Sequence, residues 1–445
     1  MANGGIIGPV NNPTATVATG VWEQEEQYQA QVGGIWPPIP AIGLNSCRFN
    51  DGSSDNLTRS ASSSGNRRTW TLSVWFKLGL TPPASRLFSI GNDASNTIFS
   101  IFFTAGDLRI ENVVSGSSTL EFRTNQVFRD PGAWSHLVVA CDTTQSTDTN
   151  RFKIYHNGTQ ITSFSTTSYP GQNTDTLVNY TTGSSTIGAR AASPSGSYFD
   201  GYMSEVIMVD GLQLTPTSFG EFDANGFWKP IVPAVPAYGT NGFKLKFENA
   251  ANLGEDSSPN GNNFTVNNLT SIDQTTDYPV NNFATLNPLD TKTGESYTFE
   301  DGNTKMISGS LTRSTIAVEN GRWYCEVKCV STTAWNGVID MAQSLEPGIA
   351  ANSIALYVAG ATMYIDGSNQ GSGGYGSSWS ANDIMMLGLD LTSSTKKIYF
   401  GKNGSWWDTD AFDNANPTTG ETLDANITYG FTVGSGSGSV TNIIN

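Results

Sequence analysis

Trp70, Leu72, Val74 and Phe76 alternate with Thr71, Ser73, Trp75 and Lys77. That period of two predicts a β-strand with one buried face. Ile98–Phe103, Leu108–Val114 and Trp134–Ala140 continue the pattern. In Phe152–Tyr155 the strand runs into His156-Asn157-Gly158, and Asn-Gly is a hairpin turn because both residues tolerate positive φ. Gly242–Glu248 alternates again, and the turn-rich Asp256–Phe264 follows. That stretch is expected to return and complete the first folding unit. Farther on, Gly321–Val327, Asn382–Leu391 and Lys397–Gly404 repeat the strand signature. The chain reads as all-β.

Between these runs the organisation changes. Residues 1–45 are rich in Gly and Pro and hold no sustained period, apart from one short helical stretch at Val21–Val32. Alone they cannot bury a core. Ile6, Ile7, Val10, Trp22, Tyr28 and Trp36 are costly to leave in water, so the segment is expected to be an anchoring arm that orders against a partner. Phe227–Pro236, with a proline every third residue or so, reads as a stiff extended linker. The expected units are the arm (1–45), a first sandwich (46–276), a connection (277–290) and a second sandwich (291–445).

Composition narrows the function. Hydrophobic residues make up 37% of the chain, enough for real cores, while charged residues reach only 14%. Ser, Thr, Asn and Gly carry the polarity instead, as suits an exposed surface that must not stick through charge. A formal charge of −16 argues against nucleic acid and anionic lipid as partners. The Arg67-Arg68 pair reads as a solvated strand entry. Cys325 and Cys329 lie four residues apart in one alternating strand, about 13 Å and beyond disulfide reach. With Cys47 and Cys141 they read as buried free thiols, consistent with folding in a reducing cytoplasm. The start Met1-Ala2-Asn3-Gly4-Gly5 has no secretory pattern, and no apolar run is long enough to span a bilayer.

The phrases Thr69–Phe76, Trp134–Ala140, Lys153–Gly158, Thr186–Ala189 and Tyr198–Val206 come in an order that resembles the laminin-G-like, concanavalin A-like jelly roll. Gly321–Val327, Asn382–Leu391 and Lys397–Gly404 resemble SPRY domains, which are bent antiparallel sandwiches that bind partners through loops. The resemblances imply two antiparallel β-sandwich, jelly-roll-like domains preceded by an extended N-terminal arm. SPRY domains close with a strand and a short tail. This sequence stops inside that strand at Ser439–Asn445, so either the domain closes by other means or the natural polypeptide continues. Together with Gly8–Pro13 and Phe219–Gly226, the whole resembles bacteriophage tail-fibre-type virion proteins. That implies a virion-exterior protein made in the host cytoplasm. The arm would bind other virion proteins, the subunits would form a homotrimer, and the outer domains would hold a host-surface glycan or protein. A capsid-decorating head fibre and a glycan-degrading enzyme are the alternatives.

Catalytic chemistry finds little support. Retaining glycosidases need two carboxylates about 5 Å apart. The nearest candidate, Glu221-Phe222-Asp223, reads as a turn after a strand. His136 and His156 lack a partnered nucleophile and acid and read as structural. Laminin-G-like domains often bind calcium, so the resemblance keeps that ion open: Asp51–Asp55 is too sparse for an EF-hand loop, while Asp93 and Asp200 sit in suitable loops without an assignable ligand set. No catalytic residue, metal ligand or cofactor is assigned. For recognition, Tyr375, Trp379, Trp406 and Trp407 lie in the SPRY loop regions, where aromatic faces can stack on sugars or anchor protein contacts, though packing would explain any one of them.

Overall fold

The computed structural model describes Gly33 and residues 43–444, apart from 80–84, 93–95, 192–196, 331–333, 346–351, 373–378, 393–394, 408–419 and 436–440. The arm, with its expected anchors Ile6, Ile7, Val10, Trp22, Tyr28 and Trp36, lies outside the described residues, as does the Val21–Val32 stretch. The rest is nearly all β, and every strand pairing is antiparallel. Among the described residues the only α-helix is the four-residue Asp148–Arg151.

The first sandwich packs two eight-stranded sheets face to face. The first sheet centres on Thr69–Leu78, flanked by Ser135–Asp142 and Gly201–Asp210. The second runs through Ser117–Val127, Asp107–Val114, Thr97–Thr104 and Ser85–Asn92. Trp70, Leu72, Val74 and Phe76 face inward against Phe99, Ile101, Phe103, Ile110 and Phe122, as their alternation predicts. Phe243–Leu245 and Thr265–Asn267 return to pair with Gly201–Asp210 and Asn56–Ser60, so the Gly242–Phe264 stretch does complete this sandwich. At Asn157 and Gly158 φ is +46° and +78°, the paired positive values of the expected tight hairpin.

The expectation of one buried face per strand fails for Thr69–Leu78. Its outer residues Thr71, Ser73, Trp75 and Lys77 are all buried too. Two segments of the same chain cover them. The proline-spaced stretch is a strap rather than a free linker: Trp228–Pro230 pairs with Gly220–Phe222, and Val235 and Tyr238 pack on Val138, Ile207, Val209 and Phe219. Gly158 has to be glycine partly for this reason, since a Cβ there would lie 2.5 Å from the Trp228 ring. The second cover is Asp277–Phe283. Lys77 Nζ, fully buried, bonds Asp277 Oδ2 at 2.8 Å, Asn282 Oδ1 at 2.9 Å and the Phe283 carbonyl at 2.7 Å. Trp134 Nε1 donates to the other Asp277 oxygen at 2.8 Å. Alternation marks Lys77 as polar but cannot show that a segment 200 residues later satisfies it.

Within 277–290, Asp277–Phe283 thus clasps the first sandwich, while Leu286–Thr291 already pairs with Leu311–Val318 in the second. That second sandwich has sheets of seven and eight strands. Val327, Leu387, Leu389, Ile398, Val338, Leu356 and Val433 fill its core. The two sandwiches touch directly. Tyr202 Oη donates to the Gly302 carbonyl at 3.0 Å, and Asn50 Nδ2 to Asp301 Oδ1 at 3.1 Å.

Candidate functional site

The aromatic residues singled out by sequence divide sharply. Tyr375 lies outside the described residues. Trp379 does not present a recognition surface. It is only 6% exposed, meets Trp407 edge-on at 5.6 Å, and has Lys402 Nζ 5.1 Å from its ring centroid. Trp407 is half-buried and stacks on Phe400 at 6.3 Å as part of the core wall. Trp406 is half-buried on the other side, where its ring meets Tyr324 edge-on at 6.0 Å. Consecutive residues of an extended chain point to opposite faces, so Trp406 and Trp407 could not both be outward. The Asn403-Gly404 turn, with φ of +50° and +84°, sets which one is.

Sequence missed Tyr324, which Trp406 meets, and its neighbour Trp323. Trp323 and Tyr324 are 43% and 45% exposed, on the Arg322–Cys329 strand that reads as an ordinary core strand. Cys325, Val327 and Cys329 face inward as expected, which puts Tyr324 and Glu326 on the outer face. The adjacent pair Trp-Tyr at the strand start, one ring for each face, is the signal that could have found them. Tyr324 Oη donates to Glu326 Oε1 at 2.6 Å. Desolvation and that carboxylate hold its phenol well above the usual tyrosine range. Trp323 Nε1 donates to the Asn320 carbonyl at 2.6 Å. Both polar tips are thereby fixed and both rings are presented.

Beside these rings a crevice of about 200 Å³ opens between the clasp and the second sandwich. Its walls are Phe283, Ile316, Val318 and Phe431, with Trp323 and Tyr324 at the rim. Burial pushes the neighbouring Cys325 thiol up to about 12, which leaves it inert as a nucleophile. The crevice can take up one bulky apolar or ring-shaped group. Aromatic anchors around a small dry pocket are the usual anatomy of a binding hot spot.

The other candidates have structural work. Glu221 pairs with Lys229 at 3.0 Å, and Asp223 Oδ1 accepts the Asn225 and Phe227 amides at 2.8 Å each, so these two acids build the strap hairpin. Fully buried His136 stacks on Trp75 at 4.5 Å. Trp228 Nε1 can only donate, so its 3.0 Å bond makes His136 Nδ1 an acceptor and places the proton on Nε2, facing Ser73 Oγ at 2.8 Å. Burial lowers this imidazole to about 3. His156 packs edge-on against Phe128 and bonds Gln126. Asp51–Asp55 forms a turn at the joint, where Asp55 Oδ2 accepts the Asn50 amide at 3.0 Å. Asp200 is buried against Gly79, and Asp93 lies outside the described residues. Among the described residues no three His, Cys, Asp or Glu side chains converge as a metal site.

Residues 51–217, most of the first sandwich, match a family model described as the concanavalin A-like lectin/glucanases superfamily. No curated protein sequence matches the chain. Among solved structures, it is similar to a native heptameric SAP-like pentraxin from Limulus polyphemus, with 17% identity over 39% of this chain and 80% of that one, at a TM-score of 0.29. It is similar to the SPRY domain of human HERC1, with 16% identity over 34% of this chain and 93% of that one, at a TM-score of 0.26. Domains LG4-5 of mouse laminin alpha1 are 11% identical over 88% of this chain and 82% of that one, at a TM-score of 0.31. The first sandwich has the jelly-roll fold that the family model describes.

Proposed function

We propose that this chain is a non-catalytic adhesion protein of a bacteriophage virion, a tail fibre or fibre-attachment component that holds a host-surface glycan or protein. The observation that carries the reading is the pair of exposed rings Trp323 and Tyr324 at the rim of an apolar crevice, with Trp406 against Tyr324. Such a surface gains by covering its rings and offers nothing to cut a bond with. The uncharged polar composition and the net charge of −16 favour a specific contact over a sticky one. On this reading the apolar arm anchors the protein to other virion proteins, and a homotrimer multiplies weak contacts into firm attachment.

The test is binding of the labelled, purified chain to host cells, comparing wild type with Tyr324→Ala and Trp406→Ala. Each truncation is expected to weaken binding at least about 10-fold, equivalent to about 1.4 kcal/mol. Unchanged binding of both variants, each with a wild-type melting profile, would refute the assignment.

A further inference from the structure

Lys77, Asp277 and Asn282 meet in a way that does more than hold an ion pair. Lys77 Nζ lies 2.8 Å from Asp277 Oδ2 and 2.9 Å from Asn282 Oδ1, so one primary amine touches both a carboxylate and a carboxamide. Asn282 Nδ2 donates to the Gly132 carbonyl at 2.7 Å, which turns the amide oxygen toward the lysine. Two buried rings shield the amine from water: Trp134 bonds Asp277 Oδ1 at 2.8 Å, and the Tyr202 centroid is 5.5 Å from Nζ. Asn282 itself reaches the surface.

An ammonium group is no nucleophile until it gives up a proton. Burial lowers the Lys77 pKa against the pull of Asp277, and Asp277 Oδ2 stands at hydrogen-bond distance to take that proton. The transfer replaces two buried charges by two neutral groups, which a dry site favours. The neutral amine then has an electrophile beside it, since the amide carbon is one bond beyond the oxygen that Nζ already touches. Reactants held together in this way react as if at very high concentration.

From this geometry we propose that Lys77 and Asn282 join in an isopeptide bond, with Asp277 as the proton carrier. Nζ attacks Asn282 Cγ, so that an Nζ–Cγ bond forms and the Cγ–Nδ2 bond breaks. Asp277 hands its proton to Nδ2, takes a second one from Nζ, and ammonia departs. The ammonia then recovers that second proton, so an ammonium and a carboxamide become a secondary amide and free ammonium, with the carboxylate regenerated. No oxidant or other reactant is consumed, and the exposed side of Asn282 is the exit. Asp277 is the base rather than the electrophile, because an ionised carboxylate resists attack. The ion pair and the bond are successive states of the same residues. The bond ties the central strand to a clasp 205 residues later, so a pulling force cannot peel the clasp away.

This inference stands apart from the reading of the chain as a binder. The experiment is intact-mass spectrometry and peptide mapping of the full chain, incubated in its native state before denaturation. Wild type is expected to be lighter by one ammonia than its sequence, and digestion should release a branched peptide joining the Lys77 and Asn282 segments. Asn282→Ala changes an exposed residue and keeps the ion pair, so it should fold, retain its full mass and give no branch. Asp277→Asn and Lys77→Met should also give none. Asn-Gly turns such as Asn157-Gly158 can lose ammonia by cyclising on themselves, so the branched peptide decides. A wild-type chain without it, a branch formed at Asp277 with loss of water, or a branch that survives Asn282→Ala or Asp277→Asn would overturn the proposal.

Discussion

Asp277→Asn tests what holds the two sandwiches as one body. Asp277 accepts from Lys77 at 2.8 Å and from Trp134 at 2.8 Å, with both members of the ion pair buried. Burial lowers the Lys77 pKa, and the Asp277 carboxylate acts against that shift. An amide in place of the carboxylate keeps the shape but strands an ammonium group away from water, with only Asn282 and the Phe283 carbonyl as acceptors. Removing one partner of a buried pair costs about 3–5 kcal/mol, most of it the desolvation of the orphaned charge. At about 2–4 °C per kcal/mol for a domain of this size, the melting transition of the first sandwich should fall by about 6–20 °C in scanning calorimetry. The double variant Lys77→Met/Asp277→Asn has no orphaned charge and should be more stable than Asp277→Asn alone. A fall under about 2 °C, or a double variant as unstable as the sum of its singles, would refute the reasoning.

Two further outcomes follow from buried groups. His136 is held near pKa 3 in the folded chain, against 6.5 when unfolded, so the unfolded state takes up the proton first as pH falls. Stability is complete above about pH 6.5 and lost below it, by about 2 kcal/mol at pH 5 from this residue alone. His136→Asn should flatten the slope of melting temperature against pH between 5 and 7, and an identical slope would count against the assignment. Cys47, Cys141, Cys325 and Cys329 are buried and free, and burial raises all four pKa values. A thiol reagent such as dithiobisnitrobenzoate should find almost none in the native chain and four after denaturation. Rapid native labelling of any one would show that its surroundings open.

What the sequence revealed depended on how local each determinant is. Alternation located Thr69–Leu78 and its inward residues, because the pleat sends every second side chain to the same face. The Asn157-Gly158 and Asn403-Gly404 turns were legible because positive φ restricts residue choice. The burial of the outer face was not, because Ser73 and Lys77 look like solvent residues until His136 and Asp277 reach them from distant segments. Trp75 on that face was the one local hint. The candidate site was half legible. Trp406 stood out in a loop, but Trp323 and Tyr324 were hidden in a strand, and Trp379 looked available although Lys402 and Trp407 enclose it.

The covered sheet face also decides where recognition can occur. The strap and the clasp already occupy the outer face of Thr69–Leu78, with Trp75, Trp134 and Tyr202 packed beneath them. A ligand cannot use that face without displacing the chain's own segments, which leaves the rims and the outer face of the second sheet. One rim is taken by the joint through Tyr202 and Asn50. The clasp in turn supplies Phe283 to the crevice beside Tyr324, while the Phe283 carbonyl is an acceptor for Lys77. The ion pair that joins the sandwiches therefore also shapes the crevice wall. Loosening it should weaken binding at Tyr324, because its crevice would lose a side. Measuring the affinity for host cells in Asp277→Asn, below its melting transition, checks this. An unchanged affinity would mean that the joint has no part in the architecture of the crevice.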